Sequence, residues 1–169
     1  ILVWQDLPSP NLPSGYEDYA KKNFEDESKR IITAFRNHPS IIQWVVFNEG
    51  WEQFDTERMT QIVIGEVGQS LVCCASGWVD APIGDIKDSH SYPNPSCPLD
   101  ETRAGVCGEY GGITLKVQGH IWPGGDFQYT TVETGKDFTV LFNNLADKVI
   151  DHYYYGLNAA VYTLSLIHI

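Results

Sequence analysis

Between Ile41 and Phe47 the chain reads IIQWVVF, a mostly apolar run that closes on Asn48 and Glu49 before the turn residues GW. This is the pattern of a strand covered on both faces, where helices on either side leave no surface for polar residues. The flanking sequence supplies helices. One is predicted from about Tyr16 to Arg36, with Phe24, Ser28, Ile31, Ile32 and Phe35 forming a single stripe. It stops at Asn37, because Pro39 disfavours helical geometry at the residue before it.

The alternation continues in both directions. ILVWQD reads as a strand, followed by the Pro-rich loop DLPSPNLPSG. Asp55 is placed to cap a second helix lined by Met59, Ile62, Val63 and Val67. Strands are expected at Ser70 to Ser76, Ile86 to His90 and Gly105 to Gly108. A last helix, roughly Phe138 to Tyr155, should bury Leu141, Phe142, Leu145 and Val149, end at Gly156 and deliver the strand NAAVYT.

The order β, α, β, α, β, β, β, α, β predicts an α/β fold with a mostly parallel sheet and helices outside. An open doubly wound sheet and a (β/α)8 barrel both satisfy it. Neither GxGxxG nor GxxxxGK[ST] occurs, which weakens the nucleotide-binding open sheet and favours the barrel by elimination. Against this, the chain between Ser76 and Gly105 is too short for regular helices after two of the strands.

Charge narrows the partners. The 169 residues carry 22 acidic and 11 basic side chains, a net charge of -11, with no basic cluster able to track a phosphate backbone. Nucleic acid is therefore not an expected partner, and no apolar run has the length of a membrane span. At 43% hydrophobic and 20% charged, the composition is that of a soluble globular domain. Cys73, Cys74, Cys97 and Cys107 lack CxxC or Cys/His ligand spacing and read as small buried hydrophobes. No metal set and no cofactor are expected.

Two carboxylates stand out. Glu49 closes IIQWVVFNEGW and Glu109 closes AGVCGEYGG, each at the C-terminal end of an apolar strand. Cleaving an acetal needs such a pair, one carboxyl protonated to release the leaving oxygen and one ionised to meet the charge growing at the sugar carbon.

RNHPSIIQWVVFNEGW resembles the acid/base segment of the glycoside hydrolase family 2 catalytic barrel, the β-galactosidase and β-glucuronidase family, and GEYGG resembles its nucleophile segment. The resemblance runs from Ile1 to about Thr163 and implies a partial (β/α)8 TIM barrel, approximately the third to the eighth strand. The first two strands and the family's N-terminal β-sandwich domains would then belong to the same, longer chain. Residues 164–169, LSLIHI, also match the translation of a common transposon-derived sequencing adapter, and are expected to be a non-native tail.

The resemblance implies a retaining β-glycosidase with a carbohydrate substrate. Glu49 would protonate the leaving oxygen and later activate water, and Glu109 would be the nucleophile. Retention calls for carboxyls about 5 to 5.5 Å apart, inversion for about 6.5 to 9.5 Å. Asn48 is similar to the family's asparagine that binds the sugar 2-hydroxyl, and Tyr92 to the tyrosine that donates to the nucleophile. His90, on the same face as Tyr92, is a candidate for a sugar hydroxyl. Trp4, Trp51, Trp78, Trp122 and Tyr162 fall at or just beyond strand ends and could carry sugars on their rings, Trp51 and Trp78 being the preferred pair. Asp6 could bind a hydroxyl and His120 could line the site, whereas His38 and His152 read as structural and His168 belongs to the tail.

GEYGGITLKVQGHIW and DSHSYPNP depart from the family's usual segments, so the resemblance carries the reaction type and not the sugar. A noncatalytic or degenerate carbohydrate-binding barrel is the alternative. A Ser or Cys hydrolase on an open sheet is a third reading, without a GxSxG elbow to support it.

Overall fold

The computed structural model describes residues 1–12, 15–119 and 129–164. His120, Trp122, His168 and all but the first residue of the suspected tail lie outside the described residues. The elements are β1 (Val3–Asp6), α1 (Asp18–Phe35), β2 (Ile41–Asn48), α2 (Thr56–Val67), β3 (Leu71–Ser76), β4 (Ile86–His90), β5 (Ala104–Gly111), β6 (Ile113–Leu115), β7 (Thr130–Val132), α3 (Gly135–Tyr154) and β8 (Ala159–Thr163). One turn of 3-10 helix, Gly50–Glu52, follows β2. The fold is mixed α/β, with a six-stranded parallel sheet in the order β1-β2-β3-β4-β5-β8. Among the described residues no helix is long and apolar enough to cross a membrane.

The chain divides into two compact units, Ile1–Asp88 with Asp100–Ala104, and Ser89–Leu99 with Gly105–Ile169. In the first, β2 carries the buried run from Gln43 to Phe47, as a strand covered on both faces should. Phe24 of α1 stacks on Phe47 at 5.4 Å and 13°, and Phe54 meets both rings edge-on. Such pairs contribute about 0.5–1.5 kcal/mol each beyond their buried area. Met59, Val63 and Val67 of α2 complete this core together with Ile32 and Val72. On the surface, Glu25 joins the two helices by pairing with Lys29 and Arg58 at 2.7 Å each. Those two hydrogen bonds hold its carboxyl down at about 2.

Two helix details differ from the sequence expectation. Phe35 is 44% exposed, because the α1 stripe extends past the surface that covers it. Asp55 stands at the N-cap of α2 in a left-handed conformation without a side-chain cap bond. Its carboxylate lies instead near Lys21 and Arg58, at 3.8 and 3.7 Å.

In the second unit, Leu145 of α3 packs in one core with Cys107 and Tyr110 of β5, Ile113 of β6 and Leu157. Leu141 and Val149 join this core partly buried, but Phe142 is 40% exposed. Gly156 ends α3 at φ +110°, a left-handed geometry that favours glycine, and Leu157 N–H then closes on the His152 carbonyl at 3.0 Å. The short strands β6 and β7, not foreseen from sequence, pair in parallel as a separate two-stranded sheet. All four cysteines are free thiols, Cys73, Cys74 and Cys107 being buried.

Candidate functional site

In the first unit, the site residues gather where β2 and β3 end. Asn48 is in register with Ser76, and the Glu49 N–H donates to the Ser76 carbonyl at 2.8 Å. Glu49 has φ 59° and ψ 176°, a region that is nearly exclusive to glycine. A residue held there costs roughly 1–3 kcal/mol, which the surrounding contacts must offset. The restraint is visible in Gln53, whose side-chain amide donates to the carbonyls of Glu49, Trp78 and Val79 at 3.3, 3.3 and 3.1 Å. Val79 is itself at φ 60°, so the same amide ties two strained loop residues together.

Strain of this kind predicts a measurable trade. Glu49→Gly should be more stable than Glu49→Ala by on the order of 1 kcal/mol, because glycine adopts the geometry without penalty. Chemical unfolding of the two variants checks it; equal midpoints would show that Glu49 is unstrained.

The Trp78 indole N–H points at Glu49 Oε1 from 3.4 Å. Trp78 also meets Trp51 edge-to-face, with centroids 4.6 Å apart at 75°. Both rings remain open to solvent, at 41% and 49% exposure, so this preferred pair does present aromatic surface beside a carboxylate. Gly50 makes room for it: a Cβ there would lie 2.7 Å from Trp78 Cζ3 and 2.6 Å from Val79 Cγ2. The turn carrying Trp78 is held by Arg103, whose guanidinium reaches Asp80 at 2.9 and 2.7 Å, Asp100 Oδ2 at 2.8 Å and the Ala81 carbonyl at 2.8 Å. Hydrogen bonding from Arg103 keeps the Asp100 carboxyl well below the usual range.

Asp88 of β4, outside the set expected from sequence, is a buried carboxylate that accepts from the Ser76 hydroxyl at 2.6 Å. Burial, followed by the nearby Asp88, pushes the Cys73 thiol well up and leaves it an inert filler. Asp6 is exposed at the end of β1, whereas Trp4 sits inside that strand, half-buried and in register with Gln43. Trp4 is thus not at a strand end as expected.

In the second unit, Glu109 lies within β5 rather than after it, but in an irregular stretch. From Cys107 to Tyr110 β5 advances three residues while β8, from Ala160 to Tyr162, advances two. The extra residue is a bulge, a device that re-aims a side chain. The Ser91 N–H and the Cys107 thiol both donate to the Glu109 carbonyl, at 2.9 and 3.4 Å, and fix the backbone.

The Tyr92 hydroxyl donates to Glu109 Oε2 at 2.5 Å, and His90 Nδ1 lies 3.4 Å from the same oxygen. The His90 side chain is only 3% exposed, while that of Glu109 is 30% exposed and reachable. Burial first, and then the hydrogen bond to Glu109, push the Tyr92 phenol far up, so it stays a proton donor. Its ring is stacked on Tyr129 at 3.8 Å and 1°. Thr163, at the end of β8, lies 2.6 Å from the Tyr92 hydroxyl.

Tyr162 goes elsewhere. Its ring packs edge-on against Tyr110 and Phe142, at 5.4 and 5.2 Å, over Gly111, where a Cβ would come within 2.4 Å of the ring. Its hydroxyl oxygen is buried, which makes Tyr162 a core residue and not an open sugar platform. His38 and His152 are structural as expected: His38 closes the turn from α1 to β2 through its backbone, and the His152 ring meets the Pro95 carbonyl at 3.2 Å.

Each unit therefore gathers part of the expected set: Asn48, Glu49, Trp51 and Trp78 in one, His90, Tyr92 and Glu109 in the other. Gln53, Asp88, Tyr129 and Thr163 are added by the structure. Only Thr163 carried a usable signal, since it ends an apolar strand as Glu49 does.

The class defined by these features is an α/β protein with a parallel sheet whose polar chemistry sits on residues at or near the carboxyl ends of its strands, where such sheets place their ligands. No protein-family model matches the chain, and no curated protein matches it significantly.

Proposed function

We propose that this chain is part of the catalytic (β/α)8 barrel of a retaining β-glycosidase, with Glu49 as acid/base and Glu109 as nucleophile. The observation that carries the reading is the Tyr92 hydroxyl 2.5 Å from Glu109 Oε2. A nucleophilic carboxylate must be ionised and accessible. A phenol that keeps its proton and donates it to one carboxylate oxygen favours the ionised form, and the bulge holds the side chain in place.

The mechanism assigns every proton. Protonated Glu49 gives its proton to the glycosidic oxygen as Glu109 attacks the anomeric carbon, so the C–O bond to the leaving group breaks and a glycosyl ester forms. Glu49, now ionised, takes a proton from water, and the resulting hydroxide displaces Glu109 from the same carbon. Two inversions give net retention. The Trp78 N–H orients Glu49 throughout, and the open faces of Trp51 and Trp78 suit the apolar face of a sugar. Asn48 is assigned the 2-hydroxyl and His90 a further sugar hydroxyl. A carbohydrate-binding barrel without turnover would use the two tryptophans equally well, but has no use for a strained glutamate or a phenol held on a carboxylate.

Following the anomeric proton of the first-formed product by NMR tests the proposal on the intact protein that carries this chain. The β-anomer should appear first and mutarotate later. Initial release of the α-anomer would overturn the double displacement.

A further inference from the structure

Resting on that reading, we infer that Thr163 is a positioning residue for the nucleophile, acting through Tyr92. Tyr92 has one hydroxyl proton, and an ionised Glu109 has none, so the 2.5 Å contact between them takes the proton of the phenol. The 2.6 Å contact between Tyr92 and Thr163 must then run the other way, with the Thr163 hydroxyl donating to the phenolic oxygen. The other acceptor near Thr163, the Tyr110 carbonyl, is more distant at 3.2 Å.

The result is a directed relay, Thr163 to Tyr92 to Glu109. Donation into the phenolic oxygen polarises its O–H and strengthens the bond it makes to the carboxylate. The relay is also aimed from the side. Tyr129 lies flat on the Tyr92 ring, and Gly112, at φ +64°, leaves the space that Tyr129 fills, since a Cβ there would be 2.7 Å from its ring. Four other titratable side chains of this unit are placed differently. His90 faces the same carboxylate oxygen at 3.4 Å, the Cys107 thiol is spent on the Glu109 carbonyl, and Lys148 and His152 of α3 bind Asn94 and Pro95.

Thr163→Val keeps the shape and removes the donor. In the intact protein it should lower kcat/KM on aryl β-glycosides by up to about tenfold, the worth of one hydrogen bond between neutral groups. The acidic limb of the pH profile should rise by up to about one unit, because a carboxylate that loses stabilisation protonates at higher pH. Thr163→Ser should restore both. In a Tyr92→Phe background, Thr163→Val should add no further loss, since the two act in series.

An unmoved acidic limb in Thr163→Val, no recovery in Thr163→Ser, or an undiminished further loss in the Tyr92→Phe background would each overturn the relay. Glu109→Gln separates the two levels. If it is inactive while Thr163→Val behaves as wild type, the relay alone fails; if it is fully active, the nucleophile assignment fails and takes the relay with it.

Discussion

Glu109→Gln should end turnover of aryl β-glycosides, with kcat reduced by at least about 10⁴-fold, the scale on which removal of a covalent nucleophile is felt. The amide is nearly isosteric with the carboxylate, so the bulge in β5, the Ser91 contact and the Tyr92 contact can persist. What disappears is the negative charge that the proposed double displacement requires at this position. Steady-state kinetics with a nitrophenyl glycoside, alongside a thermal melt, separates loss of chemistry from loss of fold. Activity within tenfold of wild type would remove Glu109 from the reaction.

Glu49→Ala should show a loss that depends on the leaving group. A general acid typically contributes about 10²–10⁴-fold, and only where the departing oxygen needs a proton. Alkyl glycosides should lose about that much. Dinitrophenyl glycosides, whose leaving group departs as a stable anion, should form the glycosyl ester at nearly the original rate. They should then stall, because no base remains to activate water. Added azide, an anion that needs no base, should restart turnover and yield a glycosyl azide of retained configuration. Equal losses for both substrate types, without azide rescue, would show that Glu49 is not the acid/base.

What the sequence reveals of this fold depends on the range of the forces involved. The core of β2 and the existence of α1, α2 and α3 follow from hydrophobic period, Pro39 and Gly156, each acting over a few residues. So does the placing of Glu49 and Glu109 near strand ends. Burial along a helix is less local. Periodicity identifies the apolar face of α1 and α3 but not how far a neighbour covers it, which is why Phe35 and Phe142 are 44% and 40% exposed. Asp55 shows the same limit for caps, since nearby cations compete with the helix terminus for its carboxylate.

The polar groups around the two glutamates lie beyond that range. Trp51 and Trp78 each follow an apolar run in the sequence, yet their edge-to-face contact depends on the absence of a side chain at Gly50 and on the Arg103 anchor at Asp80. Tyr162 met the same sequence criterion and was drawn into the core by Tyr110 and Phe142. The extra residue in β5 is invisible in GVCGEYGG alone, because a bulge exists only relative to its partner strand.

The sequence by itself determined the alternation of strands and helices, the covered central strand, and the two carboxylates that follow from it, since apolar periodicity and turn residues act along the chain. The tertiary structure alone decided what each carboxylate meets. Thr163 and Tyr92 are 71 positions apart, and hydrogen bonds such as theirs have directions that are set only when strands pair.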